Sequence, residues 1–488
     1  MTTSIPLIPI VCGDQVLTEG SDGVGQTTDP ATGLVIAQFA RAGAREVDMA
    51  VAAAREAFDN GPWRKMRPFE RGRILQRIGE LMLARRDEIA RMESMDSGKP
   101  LRDAYWEVDC SARFFEFYGG AVDKMHGSSI PLGPDWSDWT VKDAVGVSLH
   151  IIPWNYPFQL IARGVAPALA AGCSVIIKPS AETPVTAYEF VRICQEAGLP
   201  AGLVNLVNGR GSLAGDLLAR HKGVDQITFT GSVATGERVL VAAASHAIPC
   251  SMELGGKSPQ IVFADADLDK TLPIIAGGFL THCGQVCNAG TRLFVHRSIH
   301  DTVVERLHAR ISSITLGAGV DDPDMGPLIS RSHQRDVEAY FEVARQDGDL
   351  LLGAAKPSHA ALSEGAFVQP ALVVGASNDA RIAREEIFGP ILTVIPFDTA
   401  EEAVRMANDS PFGLVAGVHT TNINAALSVA EKMRVGQVWI NSFGVGLDVE
   451  FPFGGYKLSG FGREKGLEAL AAYQQIKNIA IHHPMPMA

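Results

Sequence analysis

The chain has 488 residues, and at about 150 residues per domain this length predicts two or three domains around a large buried core and excludes a mini-protein held by staples. Hydrophobic residues make up 46% and charged residues 20%, a balance that fits neither a disordered chain nor a coiled coil. The 43 Lys and Arg stand against 55 Asp and Glu, and a formal charge of −12 argues against a nucleic-acid partner.

The first residues, MTTSIPLIPIVCGDQ, lack a basic start and carry two prolines in a short apolar stretch, so they read as neither signal nor transit peptide. Apolar residues at three- and four-residue spacing predict amphipathic helices over 44–58 and 71–95. Between Gly127 and Val147 come Pro and Gly breakers and then alternating residues, the pattern of an extended arm or hairpin. The run near Val165 to Ile177 is the longest apolar one and falls short of a membrane span. From VSLHIIP to DQITFTG, short β-branched runs alternate with helices over 161–171 and 186–197 and from Leu213, which predicts βαβ units and a parallel sheet. A second such series runs from PQIVFADAD to QVWINS. The closing QQIKNIAIHH reads as a strand, open to a partner subunit's sheet edge or to its own chain.

Seven cysteines, an odd number at low density, argue against a disulfide scaffold and for a reducing, cytoplasmic setting. Gly209-Arg210-Gly211 opens a helix after a strand, but the third glycine comes one residue late for the dinucleotide fingerprint. Gly231 to Gly236 has the gap of a phosphate loop, with Glu237 where the lysine belongs. Asp265, Asp267 and Asp269 imitate a calcium loop, yet Lys270 and Ala276 occupy its glycine and glutamate positions, so they read as a helix N-cap. Cys283 and Cys287, four apart, have no companions at zinc spacing, and no metal is expected.

Cys287 remains, in FLTHCGQVCNAGTR, a small and glycine-flanked context where a thiol is approachable. Together with Pro153-Trp154-Asn155-Tyr156-Pro157, Ile177-Lys178-Pro179-Ser180, Phe229-Thr230-Gly231-Ser232, Met252-Glu253-Leu254-Gly255-Gly256-Lys257, Glu385-Glu386-Ile387-Phe388-Gly389-Pro390 and Pro452-Phe453-Gly454-Gly455-Tyr456-Lys457, this segment resembles the aldehyde dehydrogenase superfamily. The motifs stand in the family's order and span nearly the whole chain.

The chemistry of the residue types agrees with that resemblance. An aldehyde gives up hydride only after a nucleophile has made its carbon tetrahedral and electron-rich, and Cys287 would supply the thiolate. The carboxamide of Asn155 and the backbone N–H of Cys287 would form the oxyanion hole, each donor typically worth about 3 kcal/mol. Collapse of the alkoxide onto a nicotinamide cofactor would leave a thioester on Cys287. By the resemblance Glu253 is the general base that activates water for its hydrolysis, and Glu464 is a second carboxylate that either relays protons or pairs with Arg463.

The resemblance also implies NAD as cofactor. It places Lys178, counted with the catalytic set too, on the adenosine ribose; Gly211, Gly231 and Ser232 near the adenine and pyrophosphate; Trp154 beside the cleft; and Glu386 with Phe388 at the nicotinamide ribose. Family members that prefer NAD often carry Glu three residues after the lysine; here that position is Ala181, with Glu182 one place later, which leaves NADP open. Arg163, on a helix with the substrate candidates Tyr156 and Gln159, either offers a bidentate seat to an anionic or aromatic aldehyde or points away onto a carboxylate.

The implied fold is α/β: a modified Rossmann cofactor domain over 1–125 and 144–254, a catalytic domain over 255–449, and a small β oligomerisation arm with a terminal strand, 126–143 and 470–488. The arm would join subunits into a homodimer or homotetramer. Three readings stand: a hydrolytic NAD(P)-dependent aldehyde dehydrogenase, for anionic or aromatic aldehydes or, alternatively, for aliphatic or amino-aldehydes; an acylating relative using coenzyme A, against which Glu253 argues; and a silent structural relative, against which the intact Cys287, Asn155 and Glu253 argue.

Overall fold

In a computed structural model, residues 5–353, 362–444, 446–447 and 449–483 are described. Two large, mainly parallel sheets organise the chain. In the first, the strands Cys250–Glu253, Gln226–Thr230, Val147–Ile151, Ser174–Lys178 and Val204–Leu206 lie side by side and parallel. Their runs are buried almost throughout, as strands covered by helices on both faces must be. Antiparallel strands close its two edges, Gly460–Phe461 beside Glu253 and Ile10–Cys12 beside Val204–Leu206. The second sheet orders Asp349–Leu352, Ala371–Val374, Ile391–Phe397, Arg292–His296, Pro259–Val262, Val415–His419 and Gln437–Ile440, parallel except for the first pair. Both predicted βαβ series are therefore present.

The helix Pro157–Ala171 is buried along its whole length. Pro157 starts it with a preset φ, and Gly172, at φ 103°, ends it in the left-handed region open to glycine. It packs into a core with Trp63, Phe114, Phe158 and Phe190, each side chain worth roughly 1.5–3 kcal/mol when fully buried. The indole N–H of Trp63 donates to Leu169 O at 3.0 Å, so the buried ring leaves no orphan donor. A second core around Phe279, Leu293 and Val394 belongs to the second sheet.

Several elements differ from the sequence reading. The stretch predicted as one helix over 71–95 is two, Pro68–Ala84 and Arg86–Ser97, hinged at Arg85, where no Pro or Gly announces a break. The helix Leu101–Ala121 lies outside the predicted elements. The helix expected from Leu213 is a π turn, Gly211–Gly215, and a single α turn, Asp216–Ala219, because two glycines weaken its start. Asp267 does cap the helix Leu268–Leu280, accepting from Lys270 N–H.

The arm strand Trp136–Ala144 pairs antiparallel with the terminal strand Gln474–His482, from Ala144↔Gln474 to Trp136↔His482, so that strand finds its neighbour within its own chain. Among the described residues no helix is long and apolar enough to cross a membrane, and no cluster of His, Cys, Asp and Glu could hold a metal.

Candidate active site

Adjacent parallel strands deliver the site. Chain order runs outward from Val147–Ile151 through Ser174–Lys178 to Val204–Leu206, then returns to place Gln226–Thr230 on the other side of Val147–Ile151. Such a reversal opens a crevice at the carboxyl ends of the strands, where ligands of α/β sheets sit. At those ends stand Trp154-Asn155-Tyr156, Lys178, Gly231-Ser232 and Glu253. The Gly231 N–H donates to Glu253 O at 3.0 Å and joins two of these ends.

Cys287 arrives from the second sheet's side, on the loop between Leu268–Leu280 and Arg292–His296. Cys283 and Cys287 do not share a helical face, because the helix stops at Leu280 and His282 and Cys283 both turn left-handed, at φ 48° and 58°. Each such non-glycine residue costs about 1–3 kcal/mol, which surrounding contacts must offset. Gln285 supplies them: its side chain donates to His282 O at 3.0 Å and accepts from Ile329 N–H at 2.8 Å, while its own carbonyl accepts from Asn155 Nδ2 at 3.0 Å. Asn155 thus grips the loop two residues before the thiol. A Cβ on Gly256 would lie 2.4 Å from Cys287 O, so only glycine lets the loop dock there. Gln285 was not among the sequence candidates, although its place within HCGQVC was a visible signal.

The thiol lines a cavity of about 520 Å³ together with Asn155, Tyr156, Gln159, Arg163 and Phe453. Burial pushes the Cys287 thiol up to about 11, with Glu253 and Glu386 adding to the rise and Arg163 and Lys465 opposing it. Cys283 is fully enclosed and its thiol is pushed higher still by burial. Glu253 is buried, and neither carboxyl oxygen has a hydrogen-bond partner among the described residues. Burial first, and then the neighbouring Glu464, hold it well above the usual carboxylate range, against the pull of Arg163, Arg463 and Lys465.

Glu464 is buried and forms an ion pair, but with Arg163 rather than Arg463. Arg463 instead donates to Gly455 O and Gly462 O, because consecutive residues of this extended segment, bridged to Phe453 at Glu464, point to opposite sides. Arg163 lines the cavity and pairs with a carboxylate at the same time, so it does not point away from the cavity to reach that carboxylate. Its guanidinium also stands 5.2 Å from the Phe453 ring centroid. Tyr156 lies under the Lys99 ammonium at 4.3 Å, and the Gln159 backbone N–H donates to Glu107 Oε1 at 3.0 Å, so a buried cluster behind the cavity orients both.

The remaining candidates form the other half of the cleft. Lys178 donates to Pro179 O at 2.7 Å and keeps two further donors, and burial draws its ammonium down to about 8. Ser232 caps the helix Val233–Ala244, whose first N–H groups point outward into the crevice. Gly211 lies open, with nothing within 4 Å of a Cβ built there, so its position does not itself demand glycine. Glu386 accepts from Gly256 N–H at 3.1 Å, and a Cβ on Gly255 would meet its other oxygen at 1.9 Å. Burial raises that carboxyl to about 7. Phe388, at φ 57°, sets its ring edge-on to Trp154 at 5.2 Å. Ala181 packs against the small N-terminal sheet beside Ile8, Ala37 and Phe39, and Glu182 is exposed with its carbonyl accepting from Thr27.

A thiol in a cavity near a buried carboxyl that has no hydrogen-bond partner among the described residues, at the switch point of a dinucleotide-type sheet, defines a thiol-dependent oxidoreductase. The family model described as Aldehyde dehydrogenase family matches residues 17–479. The chain is 43% identical to aldehyde dehydrogenase 1 of Tanacetum cinerariifolium over 93% of its length and 91% of that protein. It is 39% identical to the mitochondrial benzaldehyde dehydrogenase of Antirrhinum majus, covering 98% and 89%. The crystal structure of betaine aldehyde dehydrogenase from Staphylococcus aureus in complex with NAD+ superposes with a TM-score of 0.96 at 36% identity, covering 99% of this chain and 96% of that one. The chain belongs to the aldehyde dehydrogenase family.

Proposed function

We propose that the protein oxidises an aldehyde to its carboxylic acid through a thioester on Cys287, with NAD as cofactor and NADP also accepted. The observation that carries this reading is that Cys287 and Asn155 line one cavity, and that the buried Glu253, without a hydrogen-bond partner among the described residues, is near enough to Cys287 to help raise its thiol.

The crevice fits a dinucleotide: Lys178 keeps donors for ribose hydroxyls, the helix start at Ser232 offers N–H groups to a pyrophosphate, and Gly255 leaves Glu386 room beside a second ribose. When bound, the nicotinamide supplies the hydride acceptor that makes the reaction an oxidation. The chain's own residues do the rest. Cys287 Sγ gives its proton to solvent water and adds to the carbonyl carbon, and Asn155 Nδ2 with the Cys287 N–H holds the oxygen that becomes negative. Once the carbon is oxidised, a thioester joins it to Sγ. Glu253, in its ionised form, takes a proton from water, the water oxygen adds to the thioester carbon, and the Cys287 thiolate leaves as the acid is released. Burial and the neighbouring Glu464 together favour the protonated form of Glu253 before this step.

The relatives' names point to chemically different aldehydes, one cationic and one aromatic, so the substrate class is argued from this chain's own cavity. Trp106, Tyr156, Phe443 and Phe453 line it, and Lys465 adds a cation to its wall beside the Glu464-paired Arg163 and Asp103. This wall favours an aromatic or anionic aldehyde over a quaternary ammonium one. The two sheets correspond to the cofactor and catalytic domains, with the exposed Ile476 and Ile481 of the terminal strand as part of a homo-oligomer contact in a cytoplasmic enzyme. The test is the near-ultraviolet absorbance of reduced nicotinamide with aromatic, anionic, aliphatic and betaine aldehydes and each cofactor. Aromatic or anionic aldehydes with the highest kcat/KM support the reading; betaine aldehyde leading the series would remove the substrate class.

A further inference from the structure

Arg163 and Glu464 carry more than an ion pair. Both side chains are about 5% exposed and they meet directly, with Arg163 lining the cavity that holds Cys287. Around them the buried groups are of mixed sign. Glu253, with no hydrogen-bond partner for either oxygen among the described residues, faces Glu464, Arg163, Arg463 and Lys465. The Cys287 thiol faces Arg163, Lys465, Glu253 and Glu386, and the Tyr156 hydroxyl in turn feels Cys287. Two neighbouring buried carboxyls do not both ionise without a cation. Glu464 touches Arg163.

We propose that Arg163 is a positioning residue of the reaction centre: it clamps Glu464 as its counter-ion, leaves the shared proton on Glu253, and sets the charge that Cys287 meets, rather than seating the far end of the substrate. This rests on Cys287 and Glu253 being the reacting groups. Arg163 Nε engages Glu464 and Nη2 donates to Thr230 Oγ1 at 3.5 Å, so drawing the guanidinium onto a substrate carboxylate would loosen its hold on Glu464, and leaving that carboxylate buried and unpaired is costly. The Phe453 ring beneath the guanidinium, 5.2 Å from its carbon, further limits where it can swing. The charge at this wall is thus spent on the enzyme's own thiol and base.

The arrangement predicts pH shifts of opposite sign for the two halves of the pair. Glu464→Gln removes an anion and leaves the cation facing Cys287 and Glu253, so both should lose their protons at lower pH. Arg163→Gln removes the cation, so both should hold their protons to higher pH, and Arg163→Lys should restore most of the difference. The readout is the rate of Cys287 alkylation by iodoacetamide against pH, with Cys283→Ala as background so that one thiol is followed, and in parallel the pH dependence of kcat. Displacements of about one pH unit in each direction are expected, about tenfold in alkylation rate at a fixed pH below the midpoint. The ratio of kcat/KM for an anionic aldehyde to that for a neutral one of the same size should stay within about threefold in Arg163→Gln. Same-sign or absent shifts would overturn the proposal. So would an unmoved pH profile with a collapsed anion preference, which returns Arg163 to the substrate. If Cys287 is not alkylated at all while activity persists, the choice of thiol fails, a result distinct from either.

Discussion

The two halves of the cleft are built on different principles. Around Lys178, Ser232 and Glu386, the polar groups are engaged by backbone: Lys178 with Pro179 O, Ser232 with its own helix start, Glu386 with Gly256 N–H. Around Cys287, charge is buried with partners withheld: Glu253 has none among the described residues, and Glu464 depends on one guanidinium. Groups that hold a ligand can rest in satisfied hydrogen bonds until it arrives. Groups that move protons must be kept poised, and burial without a partner is how an ordinary carboxyl or thiol is shifted from its usual range.

The contrast is broken most severely at the thiol. Cys287→Ala should abolish oxidation with fold and cofactor binding retained, whereas Cys283→Ala, which alters an enclosed filler, should stay active; the reverse pattern in a steady-state assay would assign the chemistry to the wrong thiol. At the base, Glu253→Gln should give one burst of reduced cofactor per site and then turnover slowed by about 10²- to 10⁴-fold, since only hydrolysis needs the carboxylate. Full steady-state activity there would remove Glu253 from the mechanism. Asn155→Ala should lower kcat by about 10²- to 10³-fold through the lost oxyanion donor, with added disorder in the loop that Gln285 braces. Rapid-mixing kinetics that show an unchanged first step would contradict this.

Smaller effects sharpen the comparison. The Cys287 thiol raised to about 11 and the Glu253 carboxyl held high both carry protons at neutral pH, so their active, deprotonated forms become more abundant as pH rises. kcat/KM should therefore climb between about pH 6 and about pH 9, and a profile that falls over this range contradicts the assignment. On the other side of the cleft, Ala181 packs against the small N-terminal sheet and Glu182 is exposed, and among the described residues no carboxylate is bonded to Lys178. NADP should be used within about a thousandfold of NAD, a difference under roughly 4 kcal/mol, and a larger discrimination would place Glu182 on the ribose.

How far the sequence was legible follows the same division. Both βαβ series and the carboxyl-end positions of Asn155, Lys178, Ser232 and Glu253 were readable, because β-branched runs and glycine-bearing strand ends are local patterns. The hinge at Arg85 was not, since no Pro or Gly stands at the junction of the two helices. Nor was the partner of Glu464: Arg463 is adjacent in sequence, and Arg163, some three hundred positions away, is adjacent in space. The left-handed pair His282 and Cys283 was equally hidden, because propensity argues against it and long-range bonds, those of Gln285 among them, hold it.

The most direct measurement of the central claim, that the acyl group rides on Cys287, is fragment-ion mass spectrometry of Glu253→Gln protein quenched after mixing with NAD and an aromatic aldehyde. The expected result is an added acyl mass on Cys287 at close to one per chain, absent without cofactor and unaffected by Cys283→Ala. An acyl group on Cys283, or a full burst of reduced cofactor with no acylated cysteine, would contradict it.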